Sequence, residues 1–223
     1  TAAARADYEA NLVAPAVEPL DLAVVVKTLQ RLLPENTVFT NGAGNYSGWL
    51  HRYCRHPGLQ HHGRTQLACT SGAMGYGLPA AVAAALLEPQ RTVVNVAGDG
   101  DFLMTGQELA TASGYGAGRG AGRLISLVVD NGSYGTIRMH QEREYPGRVS
   151  GSELFNPDFA ALARAYGWHA HRVAATPEFE PAFAAALAAD RPTLIHLKLD
   201  ADVITSRTTL AAIREAALQR LGS

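Results

Sequence analysis

The chain has 223 residues, 47% of them hydrophobic, and a formal net charge of −1. That is enough apolar material for one substantial α/β domain. The near-neutral balance gives no basic footprint for nucleic acid, and no apolar run reaches the roughly 20 residues that a membrane-spanning helix needs. Two cysteines, Cys54 and Cys69, form no disulfide framework and fit a reducing, cytoplasmic setting.

In chain order, residues 1–36 read as a linker and a leading helix. Pro15 and Pro19 precede an amphipathic stretch over 21–33. Residues 38–41 are expected as the first strand. A helix over 45–55 then places Trp49 and Tyr53 on one face. A short strand over 66–70 and an Ala-rich helix over 75–87, stopped before Pro89, follow. Next come a strand over 92–97, a turn, and a helix from about 105 to 115. Residues 114–123, rich in Gly and Arg, read as a flexible surface insertion. Residues 124–129 are a strand, and 134–141 a short helix or an ordered loop. After the Asn156-Pro157 start signal, Phe159, Leu162, Ala163 and Tyr166 recur at helical spacing over 158–166. A strand over 168–173, a helix over 177–189, a strand over 192–199 and a helix over 209–221 complete the chain. Strands alternating with helices predict a three-layer α/β/α fold with a mainly parallel sheet.

The most informative residues stand at two strand ends. Thr92-Val93-Val94-Asn95-Val96 runs into Gly98-Asp99-Gly100, and Leu124-Ile125-Ser126-Leu127-Val128-Val129 runs into Asp130-Asn131. In parallel sheets, ligands bind beyond the carboxyl ends of the strands. Glycines there let backbone N–H groups approach a phosphate. An aspartate in the same turn would repel a bare phosphate, by about 4 kcal/mol per pair of unit charges at 4 Å and an effective dielectric near 20. A bound cation inverts that sign, and oxygen donors of this kind suit Mg²⁺ or Ca²⁺. The competing reading is that Gly98-Asp99-Gly100 is merely a tight turn.

Gly98-Asp99-Gly100, then Asn131 and Tyr134-Gly135, resembles the thiamine diphosphate motif. The run from Thr70-Ser71-Gly72-Ala73-Met74-Gly75 to Ala81 and the run from Asp101 to Ala112 add to it. Together they resemble the C-terminal, diphosphate-binding domain of thiamine diphosphate-dependent enzymes of the acetolactate synthase-like family, with residues 37–223 as that domain. The resemblance implies Mg²⁺ held by Asp99, the side-chain oxygen of Asn131 and the backbone carbonyl of Ser133. It implies diphosphate contacts from Ala43, Gly44, Asn45, Gly98, Gly100 and Asp101, with Tyr134 beside the cofactor. Met74 would be the apolar wedge under the bent cofactor, Gly72 would give its carbonyl to the pyrimidine amino group, and Thr136 and Ile137 would face the reacting ring. The implied activity is acetolactate synthase-like carboligation of a 2-oxo acid such as pyruvate, with a decarboxylase or an oxidase of the same family as the alternative.

The sequence departs from the family pattern at Asp130, where Asn is usual, and at Asp101, where a small residue is usual. Asp101 is therefore expected to point outward and to contribute only its N–H. The resemblance also implies a pyrimidine-binding domain, which supplies an activating glutamate, and a middle domain, where any FAD would sit. Neither is found in these residues. The expectation is a piece of a longer enzyme, inactive alone, or a subunit that needs a separate pyrimidine-binding chain. A homodimer or homotetramer is implied through the other domains.

Other features have blander readings. His51, Cys54, His56, His61 and His62 match no zinc spacing and read as a surface loop, where one histidine could reach a substrate. Gly42-Ala43-Gly44-Asn45-Tyr46-Ser47-Gly48 imitates a dinucleotide fingerprint, but no acidic residue lies between Glu35 and Glu88 to hold a ribose. It reads instead as a diphosphate-facing turn. Phe102 and Met104 are expected in the core. Glu142-Arg143-Glu144, with Arg138 and Arg148 nearby, reads as a solvated loop, or as a lid with an arginine for a substrate carboxylate. A scaffold that binds nothing and a nicotinamide-dependent oxidoreductase are the readings from other classes.

Overall fold

The computed structural model describes residues 2–10, 12, 16–55 and 65–222. Pro15, His56, His61 and His62 lie outside them. Six strands form one all-parallel sheet: β1 (Val38–Asn41), β2 (Gln66–Ala68), β3 (Val93–Gly98), β4 (Leu124–Asp130), β5 (His169–Val173) and β6 (Thr193–Lys198), in the order β2-β1-β3-β4-β6-β5. The helices among the described residues are α1 (Ala2–Ala10), α2 (Leu22–Leu32), α3 (Ser47–Tyr53), α4 (Gly77–Leu87), α5 (Asp99–Thr105), α6 (Glu108–Tyr115), α7 (Gly135–Glu144), α8 (Phe159–Ala165), α9 (Thr176–Ala188) and α10 (Leu210–Leu221). This is a three-layer α/β/α fold.

The layers follow from the period-2 alternation of the central strands. Val94, Val96, Ile125, Leu127, Ile195 and Leu197 face α2, α3 and α9, and bury Leu29, Trp49 and Phe183 in one core. Val93, Ala97, Leu124, Val128 and Leu194 face the other way, onto Leu78 and Val82 of α4, Phe102 of α5 and Phe159 of α8. Both faces are covered, so β3 and β4 are buried along their whole lengths. That is why their sequences are continuous apolar runs rather than alternating ones. The polar exceptions satisfy one another: Asn95 donates to Ser126 Oγ at 2.9 Å, and Thr40 donates to the Gly77 carbonyl at 2.8 Å.

Local chemistry sets the helix starts. Asp21 caps α2 by accepting from the Ala23 and Val24 amides, and Asp158 caps α8 by accepting from Ala161 N–H. Three expectations need correction. Residues 2–10, read as linker, form α1. The helix after β3 begins immediately at Asp99 and breaks at Gly106, instead of following a turn. Residues 114–123 do not form a loose insertion. Ala117 is buried, Gly122 N–H donates to the Pro89 carbonyl, and the Arg123 guanidinium gathers the carbonyls of Gly120, Ala121 and Leu187.

Phe159 is fully buried and meets the Phe102 ring edge-to-face, with centroids 5.4 Å apart. Phe159→Ala is expected to cost about 3–5 kcal/mol of unfolding free energy. Urea denaturation checks this; a loss under about 1 kcal/mol would mean the site collapses freely around the missing ring.

Candidate functional site

Register builds the site. Gly98 pairs with Val129 across β3 and β4, so Asp99 and Asp130 leave the sheet side by side, and Asn131 follows one residue later. Gly132, at φ +70°, turns the chain so that its N–H donates to both Asp99 Oδ2 and Asp130 Oδ1, at 2.9 Å each. Residues 152–154 brace the loop. Tyr134 N–H donates to the Ser152 carbonyl, and Leu154 N–H donates to the Gly132 carbonyl.

A pocket opens at these strand ends, and its wall includes every residue to which the thiamine diphosphate resemblance gives a role. Ala43, Gly44 and Asn45 come from the β1–α3 turn, and Gly72 and Met74 from the loop before α4. Gly98, Asp99, Gly100 and Asp101 stand at the start of α5. Asn131, Ser133, Tyr134, Thr136 and Ile137 belong to the β4–α7 connection. Thr136 ties two of these segments together, accepting from Asn45 N–H at 3.0 Å and donating to Asn45 Oδ1 at 3.1 Å. At Gly44 and Gly98 the space a side chain would fill is occupied by the Tyr46 ring, and at Gly100 by the Tyr134 ring. Glycine there is demanded by aromatic packing as well as by the open pocket.

Burial pushes the Asp99 carboxyl up to about 6, against hydrogen bonds from Asn156 and the Gly100 and Gly132 amides. Asp130 goes the other way. Burial alone would raise it, but hydrogen bonds from His196, Asn156 and Lys198 outweigh that and hold it below its ordinary range. His196 lies 2.7 Å from Asp130 Oδ2, and Lys198 lies 3.1 Å from the same oxygen. Asn156 donates at 2.8 Å to both Asp99 Oδ2 and Asp130 Oδ1, joining the two carboxylates.

Sequence reasoning missed Asn156, His196 and Lys198 as neighbours of the site. Asn156 registered only as part of a helix start. For the other two the strand pattern shows only a shared face, and strand pairing brings them to the site. Lys198 pairs with Asp130 across β4 and β6, and His196, two residues back, shares its face. The apolar part of the pocket, Val129, Leu199, Val203 and Ile204, was also missed.

Three readings are overturned. Asp101 does not point outward. It is 3% exposed, and its carboxylate accepts from Tyr46 Oη at 2.7 Å and from Gly75 N–H at 2.6 Å. Its pKa is raised by burial, and so is that of Tyr46, which Asp101 raises further. Met104 is 46% exposed, because Asp101, Phe102 and Thr105 take the inner side of the short α5. The run 142–144 is not a loop. It is the last turn of α7, with Glu142 fully buried and paired to Arg214 of α10, while Arg143 and Glu144 are exposed. His51 of the suspected zinc cluster sits 3.2 Å from Asn41 Oδ1. Among the described residues no group of three His, Cys, Asp or Glu side chains could hold a metal.

Comparison with known proteins places this geometry. Residues 42–197 match the family described as "Thiamine pyrophosphate enzyme, C-terminal TPP binding domain". The chain belongs to that family, and its sequence is similar to acetolactate synthase-like members. It is 34% identical over 181 residues to the acetolactate synthase isozyme 2 large subunit of Escherichia coli, covering 79% of this chain and 31% of that protein. It is 31% identical to the benzoylformate decarboxylase of Pseudomonas aeruginosa, covering 80% of this chain and 32% of that protein. Among solved structures, a thiamine diphosphate-dependent 4-hydroxybenzoylformate decarboxylase of Rhodococcus jostii superposes with a TM-score of 0.74 at 30% identity, over 84% of this chain and 34% of that one. The chain thus spans about a third of the length of the relatives it matches. No helix among the described residues is long and apolar enough to cross a membrane.

The donor set fits a magnesium-bound diphosphate. Asp99 accepts one hydrogen bond on Oδ1 and two on Oδ2, which leaves a lone pair free on Oδ1. Among the described residues the Ser133 carbonyl accepts from one backbone donor, Gly135 N–H, and keeps its second lone pair. The Asn131 side-chain oxygen accepts from the Ser133 amide and hydroxyl at 3.2 Å each, and the hydroxyl is free to rotate away. All three are hard oxygen donors, the type Mg²⁺ takes alongside phosphate and water.

The Glu142–Arg214 pair anchors α10 to α7, the helix whose first turn carries Thr136 and Ile137. The Arg214 hydrogen bond, opposed by burial and aided by Gly147 N–H, holds the Glu142 carboxyl below its ordinary range. A lowered acid stabilises the fold above its unfolded pKa and loses that contribution as pH falls through the folded value. Arg214→Ala is therefore expected to cost about 1.5–3 kcal/mol at pH 7. The deficit relative to the unsubstituted protein should shrink as pH falls below about 4 and on through the lowered folded value of Glu142. Melting curves at the two pH values check this; an equal deficit at both would assign the loss to packing alone.

Proposed function

We propose that the pocket holds thiamine diphosphate through Mg²⁺, with Asp99, the Asn131 side-chain oxygen and the Ser133 carbonyl as protein ligands. The parent protein is then an enzyme acting on 2-oxo acids such as pyruvate by acetolactate synthase-like carboligation. One observation carries this reading: a buried acid and an amide stand at the ends of adjacent parallel strands and line one pocket with Met74 and Gly72. Bound thiamine diphosphate supplies carbanion chemistry next to a carbonyl.

The residues of the chain do the rest. Asp99 and Asn131 would hold the metal, whose charge would offset the repulsion between Asp99 and a diphosphate. The β1–α3 turn and the start of α5 line the pocket and would lie beside the diphosphate, with the Asn45 and Gly100 amides donating to Thr136 and Asp99 in the structure. Met74 would serve as the apolar wedge under the cofactor, the Gly72 carbonyl would be available to a pyrimidine amino group, and Thr136 and Ile137 would border the reacting ring. Val129, Leu199, Val203 and Ile204 exclude water and so strengthen every charge interaction within.

A decarboxylase is the second reading, supported by the benzoylformate decarboxylase relatives. The two part only in what the pocket admits as the second reactant. The activating glutamate and any FAD belong, on the family resemblance, to domains outside these 223 residues, so the chain alone is proposed to be inactive. The same resemblance supports a cytoplasmic homodimer or homotetramer. Product analysis of the full-length protein with pyruvate separates the readings: a joined product supports the synthase, a released aldehyde the decarboxylase.

Asp99→Ala is expected to weaken magnesium-dependent thiamine diphosphate binding by roughly 100-fold or more, about 2.7 kcal/mol. Calorimetry showing undiminished affinity would remove Asp99 from the metal site. Met74→Ala is expected to lower kcat by about tenfold or more while the cofactor affinity moves less. Wild-type turnover in that variant would count against the wedge.

A further inference from the structure

The wedge Met74 sits in a loop, and a loop alone does not hold a side chain to the tolerance that a bent cofactor needs. The restraint comes from α5. Gly75, the next residue, is buried at φ +85°. Its N–H donates to Asp101 Oδ1 at 2.6 Å, and its carbonyl accepts from Thr105 Oγ1 at 2.9 Å. Asp101 and Thr105 are four apart and share one face of α5. One helix face therefore holds the Gly75 backbone by both its donor and its acceptor. A Cβ on Gly75 would lie 2.8 Å from Met104 Cβ, so the loop is pressed directly against that helix.

The same carboxylate reaches the other wall of the pocket. Asp101 Oδ2 accepts from Tyr46 Oη at 2.7 Å, and the Tyr46 ring packs over Gly44 and Gly98. A Cβ on Gly42 would stand 2.1 Å from Asp101 Oδ1, so the carboxylate is seated against the β1–α3 turn. The metal ligand Asp99 is two residues away on the same short helix.

We propose that α5 is a rigid bracket joining the metal site to the wedge, in which Asp101, aided by Thr105 and Tyr46, is a positioning residue that sets the placement of Met74. The proposal rests on the reading of Met74 as the wedge under thiamine diphosphate. It assigns a purpose to a carboxylate where the family usually carries a small residue. Asp101 acts through the Gly75 amide and not through the diphosphate.

The test uses the full-length protein and two independent readouts. In the cofactor-free state, Asp101→Ser is expected to speed hydrogen exchange at the Gly75 amide by about tenfold or more, with the β3 and β4 amides unchanged. In the loaded enzyme it should lower kcat by about tenfold and change the thiamine diphosphate Kd less than about threefold. Combined with Met74→Ala it should add little further loss, since both act through one contact. Asp101→Asn, which keeps an acceptor for Gly75, should recover most of the lost turnover. If Asp101→Ser does not fold, Tyr46→Phe keeps the ring and removes one bond to the carboxylate, with the same effects at smaller amplitude. Unchanged exchange at Gly75, losses that multiply with Met74→Ala, or a Kd loss as large as the kcat loss would each overturn the proposal. A parent protein that fails to bind magnesium and thiamine diphosphate would sink the functional reading instead, while the exchange experiment would still decide whether Asp101 restrains the loop.

Discussion

The arrangement depends on the one-residue register between β3 and β4. Because Gly98 faces Val129, two acids leave the sheet together at its carboxyl edge, and the amide of Asn131 follows on the same side. Two neighbouring buried carboxylates are costly unless counter-charge is supplied. The fold answers that cost differently for each. Asp130 turns toward β6 and takes His196 and Lys198 as partners. Asp99 lines the pocket and, among the described residues, takes neutral donors, the Gly100 and Gly132 amides and Asn156. Under the proposed function a cation would supply its countercharge.

Asn156 makes the division of labour coherent. By donating to one oxygen of each acid, it keeps the pair in a fixed relation without adding charge. It also lies just ahead of α8, so the Asp99 side of the pocket is tied to the helix that packs Phe159 against Phe102 and edge-on to His196 at 5.2 Å. Core packing and site geometry are thereby parts of one construction. A slip in the α8 layer would reach Asp99 through a single side chain.

Much of this was legible in the sequence. The apolar β-branched runs announced β3 and β4, because strands covered on both faces have no polar side to show. The oxygen-bearing residues stood in the open immediately after them. Asp130 was visible only as a departure from a familiar pair, and its partners lay some 66 residues on, on a strand whose pairing no local pattern reveals. Asp101 was misread because a carboxylate beside a proposed diphosphate suggested repulsion and hence exposure. Among the groups that draw it inward, the Gly75 amide and the Tyr46 hydroxyl arrive from segments 26 and 55 residues away. Glu142 was hidden for the same reason: a charged triplet looks solvated until Arg214 is brought beside it. Local pattern reveals layers and strand ends, whereas buried polar pairs of large sequence separation need the fold.

The most direct test of the account is diffraction from crystals of the full-length protein grown with thiamine diphosphate and Mn²⁺ in place of Mg²⁺, with data collected for the anomalous signal of manganese. The account predicts a peak bounded by the Asp99 carboxylate, the Asn131 side-chain oxygen and the Ser133 carbonyl, with diphosphate oxygens completing the shell. Cofactor density with manganese held elsewhere, or with Asp99 turned away from it, would contradict the claim that the two strand ends exist to grip one cation.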